Sequence, residues 1–560
     1  MVTPKIWGQG QLFAFSALDG DSHWDGDLTG TLCGDKMGIR FHTKVKRELV
    51  LTNLQGLAPE FSCVSSDLIL IDTCRGQASM IFANRHTVIG FLPEAMGAVV
   101  LCEGEHTLTK EGDLQIQDTG DGACTALLRS GNRFAFAFGK TTEEAAQNAY
   151  LGIDLDMDAL VWKKLAFYQK HGLPENHPYA PLASKVLSVM RSQLYSPEGR
   201  FRRIWSTPDR LPHKHLWLWD SVFHGVGFRN IDPTLAEDLI LDIFDAQSPD
   251  GFIPHMATPV DTSSITQPPV IGWGAWMVYQ KSNNRAFLQT VLEQNKKFLL
   301  WCRENRRDTD EELYTWLTKA DVRCRCDESG MDNSPRFDRI TRLQAIDFSC
   351  FMANDVRHMA MISRELQDTE NETFFSGWFE KIKADINRKL WCEEDGFYYD
   401  YDLESNRLHK IQSVASFLPL FSGVCSRSQA ASLRKWLTDP EAFYTPLPVP
   451  CISKKDATYG SDMWRGPVWM NYNYMIIQGL QNYGEISLSQ EFRQKTLAAI
   501  NEWYHKNGTV YEFYDPENQK SPKQLNRKGP VHEPYDFTVR YQSIRDYGWT
   551  ATLTLDLLYN

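Results

Sequence analysis

The sequence predicts a multidomain, mainly α protein in which an N-terminal antiparallel β-sandwich precedes a C-terminal (α/α)6 barrel. Three observations predict it. Residues 1–150 hold short, alternating, β-branched or aromatic runs divided by turn residues. Beyond residue 181 the hydrophobic period changes and about a dozen helical segments follow one another. Several of those segments are joined by long, polar, aromatic-rich connections, and long ordered loops in a compact domain are usually functional.

The strand-like runs are Gln11–Ser16, Gly38–Thr43, Glu48–Leu54, Leu68–Asp72, Ala78–Ala83, Thr87–Leu92, Ala98–Glu103, Thr125–Arg129 and Arg133–Gly139. Asp19-Gly20, Glu111-Gly112-Asp113 and Ser130-Gly131-Asn132 supply turns between them. This spacing is that of a sandwich, here assigned to residues 1–150. Thr142-Glu143-Glu144 then opens a helical stretch, continued from Asp158 to Lys170. Pro174, Pro178 and Pro181 mark a connection, so residues 151–181 read as a helical linker and 182–560 as the barrel domain.

Within the barrel region the predicted helices are Leu182–Ser196, Leu216–Phe228, Pro233–Gln247, Pro269–Lys281, Asn284–Asn305, Leu343–Glu365, Glu372–Trp391, Ser413–Ser422, Arg427–Leu437, Val468–Tyr483, Leu488–Lys506 and Trp549–Tyr559. Asp232-Pro233 is an N-cap followed by proline at the first helical position. Ser426-x-x-Gln429 and Ser487-x-x-Gln490 have the capping-box pattern. Asn507-Gly508 supplies a C-terminal stop. Six helical hairpins closed into a ring use twelve helices and place the long connections Ser248–Pro268, Asp308–Thr341 and Gly508–Gly548 around one mouth. Gly396–Asp402 breaks the pattern and reads as a small structural β-hairpin.

Bulk properties exclude several functions. The formal net charge of the 560 residues is -12, and no Lys/Arg run is present, so neither nucleic acid nor a membrane surface is an expected partner. Met1 to Gln11 has neither the basic nor the apolar segment of a signal peptide, and no stretch has the length of a membrane span. The 12 cysteines are scattered apart from Cys324-Arg325-Cys326, which fits reduced thiols in a cytoplasm. No Cys/His cluster or calcium loop has ligand spacing, so neither metal nor cofactor is expected. Oligomeric state is not encoded legibly.

One segment has an unusual texture: His215-Leu216-Trp217-Leu218-Trp219-Asp220-Ser221-Val222-Phe223-His224. Aromatic faces and polar groups are mixed, where a core stripe places apolar residues three and four apart. That mixture suits a ligand with both C–H faces and hydroxyls, namely a sugar. Gln267–Trp276 and Trp464–Tyr474 share the texture. Candidate sugar-holding groups are Trp217, Trp219, Asp220, Gln267, Trp273, Asn333, Trp464, Arg465, Asn471 and Trp549. Rings pack on pyranose faces and polar side chains satisfy hydroxyls. His224 and His255 are more simply structural.

Glycoside hydrolysis needs one protonated carboxyl and one carboxylate. Two loop carboxylates stand out. Asp332 lies in Glu328-Ser329-Gly330-Met331-Asp332-Asn333-Ser334-Pro335-Arg336, where apolar Met331 and a stiffening proline predict a partly closed setting of the kind that keeps a carboxyl protonated. The bland alternative is a turn capped by aspartate. Glu512 lies between aromatics in Val510-Tyr511-Glu512-Phe513-Tyr514-Asp515-Pro516, and its bland alternative is an exposed loop glutamate. Glu328, Asp338 and Asp347 are rival carboxylates.

At these residues the chain resembles glycoside hydrolase family 63, inverting α-glycosidases built on an (α/α)6 barrel and related to trehalases. The matching motifs are Trp217–Ser221, Gln267-Pro268-Pro269, Glu328–Arg336, Trp464-Arg465-Gly466-Pro467-Val468-Trp469, Tyr511–Pro516 and Tyr547–Ala551, in the family's order from about Pro212 onward. The trehalase stretch Gln-Trp-Asp-Tyr-Pro-Asn-Gly is absent. The resemblance implies Asp332 as general acid, Glu512 as general base, and an exo-acting inverting α-glycosidase taking a short α-linked glucoside or mannoside. Two alternatives stand beside it: an inverting glycoside phosphorylase, and a sugar-binding protein on a degenerate hydrolase scaffold.

Overall fold

The structure is a computed structural model and describes residues 1–34, 36–120, 122–319, 324–530 and 541–560. The predicted connections Asp308–Thr341 and Gly508–Gly548 therefore include stretches, 320–323 and 531–540, that lie outside the described residues. The chain divides into two compact units. One comprises Met1–Glu198, Asn501–Val510 and Arg545–Ala551, and the other Gly199–Ile500, Tyr511–Ile544 and Thr552–Asn560.

The first unit contains β1 (Leu12–Ala14), β2 (Thr29–Leu32), β3 (Gly38–Phe41), β4 (Arg47–Thr52), β5 (Glu60–Val64), β6 (Leu68–Thr73), β7 (Gly76–Asn84), β8 (Thr87–Phe91), β9 (Gly97–Cys102), β10 (Thr107–Glu111), β11 (Leu114–Asp118), β12 (Cys124–Ser130) and β13 (Arg133–Gly139). They form two antiparallel sheets, ordered β1-β2-β3-β4-β9 and β10-β11-β12-β13-β8-β7-β6-β5. All nine predicted runs are strands, and β2, β5, β10 and β11 are additional. The pattern hid β2 because Gly30 interrupts it. A Cβ there would meet the Ile39 side chain at 2.6 Å and the Phe41 ring at 3.0 Å. β10 is exposed along its whole length and so shows no apolar alternation.

Period-two alternation sorts the larger sheet's faces. Ile69, Ile71, Phe82, Phe134 and Phe136 join Phe13, Ile39, Phe41 and Leu49 of the smaller sheet in one core, with the Phe41 and Phe136 rings stacked at 4.9 Å. The intervening Leu68, Leu70, Ala135 and Ala137 face helix α1 (Thr142–Ile153), and the small residues there admit Ala145 and Ala149. Helices α2 (Met157–His171) and α3 (Ala180–Ser192) bring Lys164 and Arg191 to one buried carboxylate, with Lys164 Nζ 2.7 Å and Arg191 Nη2 3.0 Å from Asp67 Oδ2. Burial opposes ionisation of Asp67, but the two cations outweigh it and hold its carboxyl well below the usual range. A depressed folded value means stability that is present above the unfolded carboxyl's titration and is lost as pH falls toward the folded one. Asp67→Asn is therefore expected to cost about 1–3 kcal/mol at neutral pH, because it leaves the two buried cations with Asp19 alone, 2.9 Å from Lys164 Nζ and 2.5 Å from Arg191 Nη2. The deficit against wild type narrows below about pH 4. Urea unfolding at both pH values measures this.

The helical region continues with α4 (Leu218–Phe228), α5 (Pro233–Phe244), α6 (Ile271–Ser282), α7 (Arg285–Asn305), α8 (Ile346–Leu366), α9 (Thr369–Lys389), α10 (Leu418–Ser422), α11 (Arg427–Leu437), α12 (Met470–Asn482), α13 (Ile486–Asn507) and α14 (Gly548–Tyr559). The twelve helices from α3 to α14 correspond one for one to those expected. In the second unit, α4, α6, α8, α10 and α12 touch in succession. Helix α4 is buried along its whole length, whereas α9 buries only Phe375, Trp378, Ile382 and Ile386. All-round burial marks an inner helix and a single stripe an outer one, which is the inner and outer ring of an (α/α)6 barrel.

Terminal signals acted as expected at α5, where Asp232 accepts from Thr234 N and Leu235 N, and at α11, where Ser426 and Gln429 form both halves of a capping box. The second predicted box is absent. Helix α13 begins at Ile486, Ser489 N already bonds to Glu485 O, and Ser487 lies within the first turn. Asp400–Asp402, from the predicted hairpin, pairs with Arg407–His409 and with Leu343–Gln344. Among the described residues, no helix is long and apolar enough to cross a membrane.

Candidate active site

The motifs collect at the starts of inner helices. Trp217 is the N-cap of α4, with Trp219 and Asp220 in its first turn. Gln267 shortly precedes α6 and Trp273 lies in its first turn. Asp347 opens α8, while Trp464 and Asn471 flank the start of α12. Strand Phe513–Tyr514, next to Glu512, pairs with Val468–Trp469, which joins the Trp464 and Glu512 segments. Trp464 and Trp469 stack at 3.7 Å. Trp549 opens α14 in the first unit, where its ring lies 4.9 Å from that of Tyr547.

The Asp332 loop is held closely. Gly330 has φ +70° and lies against the Trp219 indole, where an added Cβ would stand 2.2 Å from Cζ2. Trp219 N in turn donates to Gln267 Oε1 at 3.3 Å. Gly330→Ala meets both the ring and the left-handed backbone penalty. It is expected to destabilise by about 1–3 kcal/mol and to lower turnover, as thermal melting and a rate assay would show. Asn333 anchors the loop sideways, donating to Asp462 Oδ1 at 3.2 Å and accepting from Trp464 N at 3.0 Å. Arg465 donates to Asn333 O and pairs with Asp338 at 2.6 Å. Asn333 and Arg465 are thus committed to holding the loop.

The rival carboxylates serve the fold. Buried Glu328 accepts from Arg306 Nη2 at 2.6 Å, Leu317 N at 2.9 Å and Thr266 N at 3.2 Å. Asp347 accepts from Trp316 Nε1 at 2.9 Å and Arg336 Nη1 at 2.6 Å. Asp332 differs. Its side chain is 19% exposed and its partner is Lys528 Nζ at 2.5 Å. The expected apolar setting is therefore absent. Met331 is buried with its sulfur 3.3 Å from Arg336 Nη1, and the neighbour of Asp332 is an ammonium brought in from far along the chain. Burial opposes the charge of Lys528, but Asp332 raises its pKa above the ordinary value.

Glu512 is 1% exposed, which removes the exposed-loop alternative. Arg527 grips it with two bonds, Nε to Oε2 at 2.7 Å and Nη2 to Oε1 at 3.1 Å. Arg527 Nη2 also reaches His213 Nε2 at 3.3 Å, and His213 Nδ1 bonds to Asp209 Oδ2 at 2.7 Å. With Nε2 accepting, Nδ1 carries the proton and donates it to Asp209. Consecutive residues, Arg527 and Lys528, thus hold Glu512 and Asp332 respectively. Lys528 takes φ +57° and its backbone N–H donates to Asp462 Oδ1 at 2.7 Å. Sequence reasoning missed Asp209, His213, Asp462, Arg527 and Lys528. The signal available for the last two was a pair of adjacent cations within a long loop.

Asp220 is buried, and among the described residues its Oδ1 has no hydrogen-bond partner. Burial first, then the charges of Asp209 and Glu512, push its carboxyl well above the usual range, which favours its protonated, hydrogen-bond-donating form. Trp217 Nε1, Trp464 Nε1 and Asn471 Nδ2 are likewise buried without partners among the described residues. Such groups are costly unless something satisfies them. The Trp273 ring instead packs among Phe223, Phe421 and Tyr474, at centroid distances of 5.4 to 6.2 Å. His224 and His255 bond to Ser206 and Ser263, and burial lowers their pKa values to about 3 and about 4.

Cys324, Asp327 and Asp332 place potential ligand atoms within 4.8 Å of one another. The two carboxylates already carry Lys319 and Lys528, each at 2.5 Å, and burial pushes the Cys324 thiol up to about 12. This chemistry does not suit a cation.

An N-terminal antiparallel sandwich, a helical barrel and a lining of carboxyl and indole groups at its inner-helix N-termini are the parts of a glycoside hydrolase. Residues 213–550 match the family described as the mannosylglycerate hydrolase MGH1-like glycoside hydrolase domain, and the chain belongs to that family. The match begins where the resemblance in the sequence began. A mannosylglycerate hydrolase of Thermus thermophilus is 24% identical over 403 residues, covering 56% of this chain and 92% of that protein. A probable mannosyl-oligosaccharide glucosidase of Schizosaccharomyces pombe is 26% identical over 273 residues, covering 43% of this chain and 33% of that one. The crystal structure of a GH63 mannosylglycerate hydrolase from Thermus thermophilus in complex with Tris superposes with a TM-score of 0.55 at 22% identity, covering 67% of this chain and 99% of that one.

Proposed function

We propose that the protein is an exo-acting, inverting α-glycosidase of the cytoplasm that hydrolyses a short α-linked glucoside or mannoside, with Asp332 as general acid and Glu512 as general base. The observation that carries this reading is the convergence of these two carboxyls on one dipeptide, Arg527-Lys528. Glu512, gripped by Arg527, is positioned to take a proton from water. Asp332 shares its site with an ammonium. As general acid, Asp332 would give a proton to the leaving oxygen, and the Lys528 ammonium beside it would balance the carboxylate left behind. Protonated Asp220 and the unpartnered indole and amide groups then meet sugar hydroxyls. Buried free thiols such as Cys302, Cys326 and Cys350 accord with a reducing compartment.

Phosphorolysis is the second reading, because Arg527 and Lys528 supply cations of the type a phosphate site wants. The two-bond grip on Glu512 weighs against it. A proton NMR time course separates the two. The panel is α-linked glucose and mannose disaccharides together with mannosylglycerate, the compound named for the Thermus relative, with and without phosphate. The expected first product is the β-anomer, as inversion requires. An α-anomer appearing first would make the mechanism retaining, and a sugar 1-phosphate formed only with phosphate would make the enzyme a phosphorylase.

A further inference from the structure

The inner helices begin at the candidate site and end at a second feature. A cavity of about 270 Å³ opens between the last turns of α4, α6, α12 and α14 and the flank of α13. Helix α4 separates Trp217 from Arg229 by about 18 Å, at 1.5 Å per residue.

The cavity floor is a closed network. Arg229 pairs with Asp556, Nε to Oδ1 at 3.0 Å and Nη2 to Oδ2 at 3.2 Å, and its Nη1 donates to Met277 O at 3.0 Å. Tyr474 OH donates to Asp556 Oδ2 at 2.6 Å and accepts from Gln478 Nε2 at 2.9 Å. Asp556 also accepts from Asn230 Nδ2 at 2.7 Å and Asn560 Nδ2 at 3.1 Å, so its carboxylate is fully engaged. Two further cations, Lys281 and Arg493, line the same space, and among the described residues neither has a hydrogen bond or ion pair. Gln280 and Gln481 add side-chain amides that are equally uncommitted. Among the lining side chains three cations stand against one carboxylate, in a chain whose net charge is -12. Ile477 and Leu557 add apolar wall.

Helix C-termini attract cations, which accounts for a lysine at the end of α6. It does not account for Arg493, which reaches the cavity from the body of α13 beside the two exposed amides of Gln280 and Gln481. Amides match hydroxyls as donor and acceptor, cations match an anionic group, and the apolar wall matches C–H faces. We propose that this cavity is a second ligand site, separate from the catalytic mouth, that binds a small anionic polyol such as a sugar phosphate or a sugar acid.

Isothermal titration calorimetry at low ionic strength tests this on the full chain with glucose 6-phosphate, gluconate and inorganic phosphate. The expected result is one saturable site for at least one of the two polyols. Affinity should fall at least tenfold in the double variant Lys281→Gln, Arg493→Gln and stay unchanged in Asp220→Asn, which reports on the catalytic mouth. An unchanged Tm of the double variant shows that it is folded. Binding of only one polyol names its anionic group as phosphate ester or carboxylate. The proposal is overturned by no saturable binding of either polyol, by equal affinity for inorganic phosphate, or by affinity that follows Asp220 instead of Lys281 and Arg493.

Discussion

Glu512→Gln is expected to lower kcat on a natural glycoside by roughly 10³-fold, within the range that general acid–base groups supply. The amide keeps the size and one acceptor for Arg527, but it cannot take a proton from water. Asp332→Asn is expected to cause a loss of similar size for a different reason, namely that the leaving oxygen departs unprotonated. The two variants separate on an α-glycosyl fluoride, whose leaving group needs no proton. Asp332→Asn should approach the wild-type rate there, within about tenfold, while Glu512→Gln stays slow. Kinetics of both variants on both substrates decide the matter. If the fluoride rescued Glu512→Gln and not Asp332→Asn, the two roles would be exchanged. If it rescued neither, Asp332 would not be the acid.

Arg336→Met should have the largest effect on stability. Arg336 is fully buried and donates four hydrogen bonds, two to Asp347 at 2.6 and 2.9 Å and two to Asp400 at 2.7 and 2.8 Å. Removing it leaves two buried carboxylates facing each other without a cation, which costs about 3–5 kcal/mol or more. Because Arg336 also ends the Asp332 loop, turnover should fall with stability. Urea unfolding gives the cost. Neutralising the stranded groups as well, with Asp347→Asn and Asp400→Asn, should recover much of it. A loss of under about 1 kcal/mol in the single variant would show that the triad contributes little.

The sequence read out the helices almost completely, because long amphipathic periods and caps such as Asp232 and Ser426 are local signals. Strands were legible where one face was buried and the other was not. They were lost where Gly30 broke the run or where β10 exposed every residue. The same division runs through the site. Trp217, Asp220, Asp332 and Glu512 stood out by residue type and texture. What surrounds them did not, since the neighbour that matters to Asp332 is Lys528 rather than Met331, and the partner of Glu512 is Arg527. His213 and Asp209 act on that arginine across most of the barrel sequence. Contacts between distant segments leave no period and no motif. Asn333 and Arg465 were singled out as groups for sugar hydroxyls, and their contacts with Asp462, Trp464 and Asp338 come from segments far off in the chain. Their polar groups hold one loop against another.

Having the two proposed catalytic carboxyls gripped by neighbouring residues has a consequence for how they are held. Adjacent Cα atoms lie about 3.8 Å apart across a trans peptide, so the two cationic side chains spring from one short stretch of chain and tether the loops carrying Asp332 and Glu512 to it. The weakness is equally specific: inserting or deleting one residue at 527–528 is expected to disturb the grip on both carboxyls in the same event.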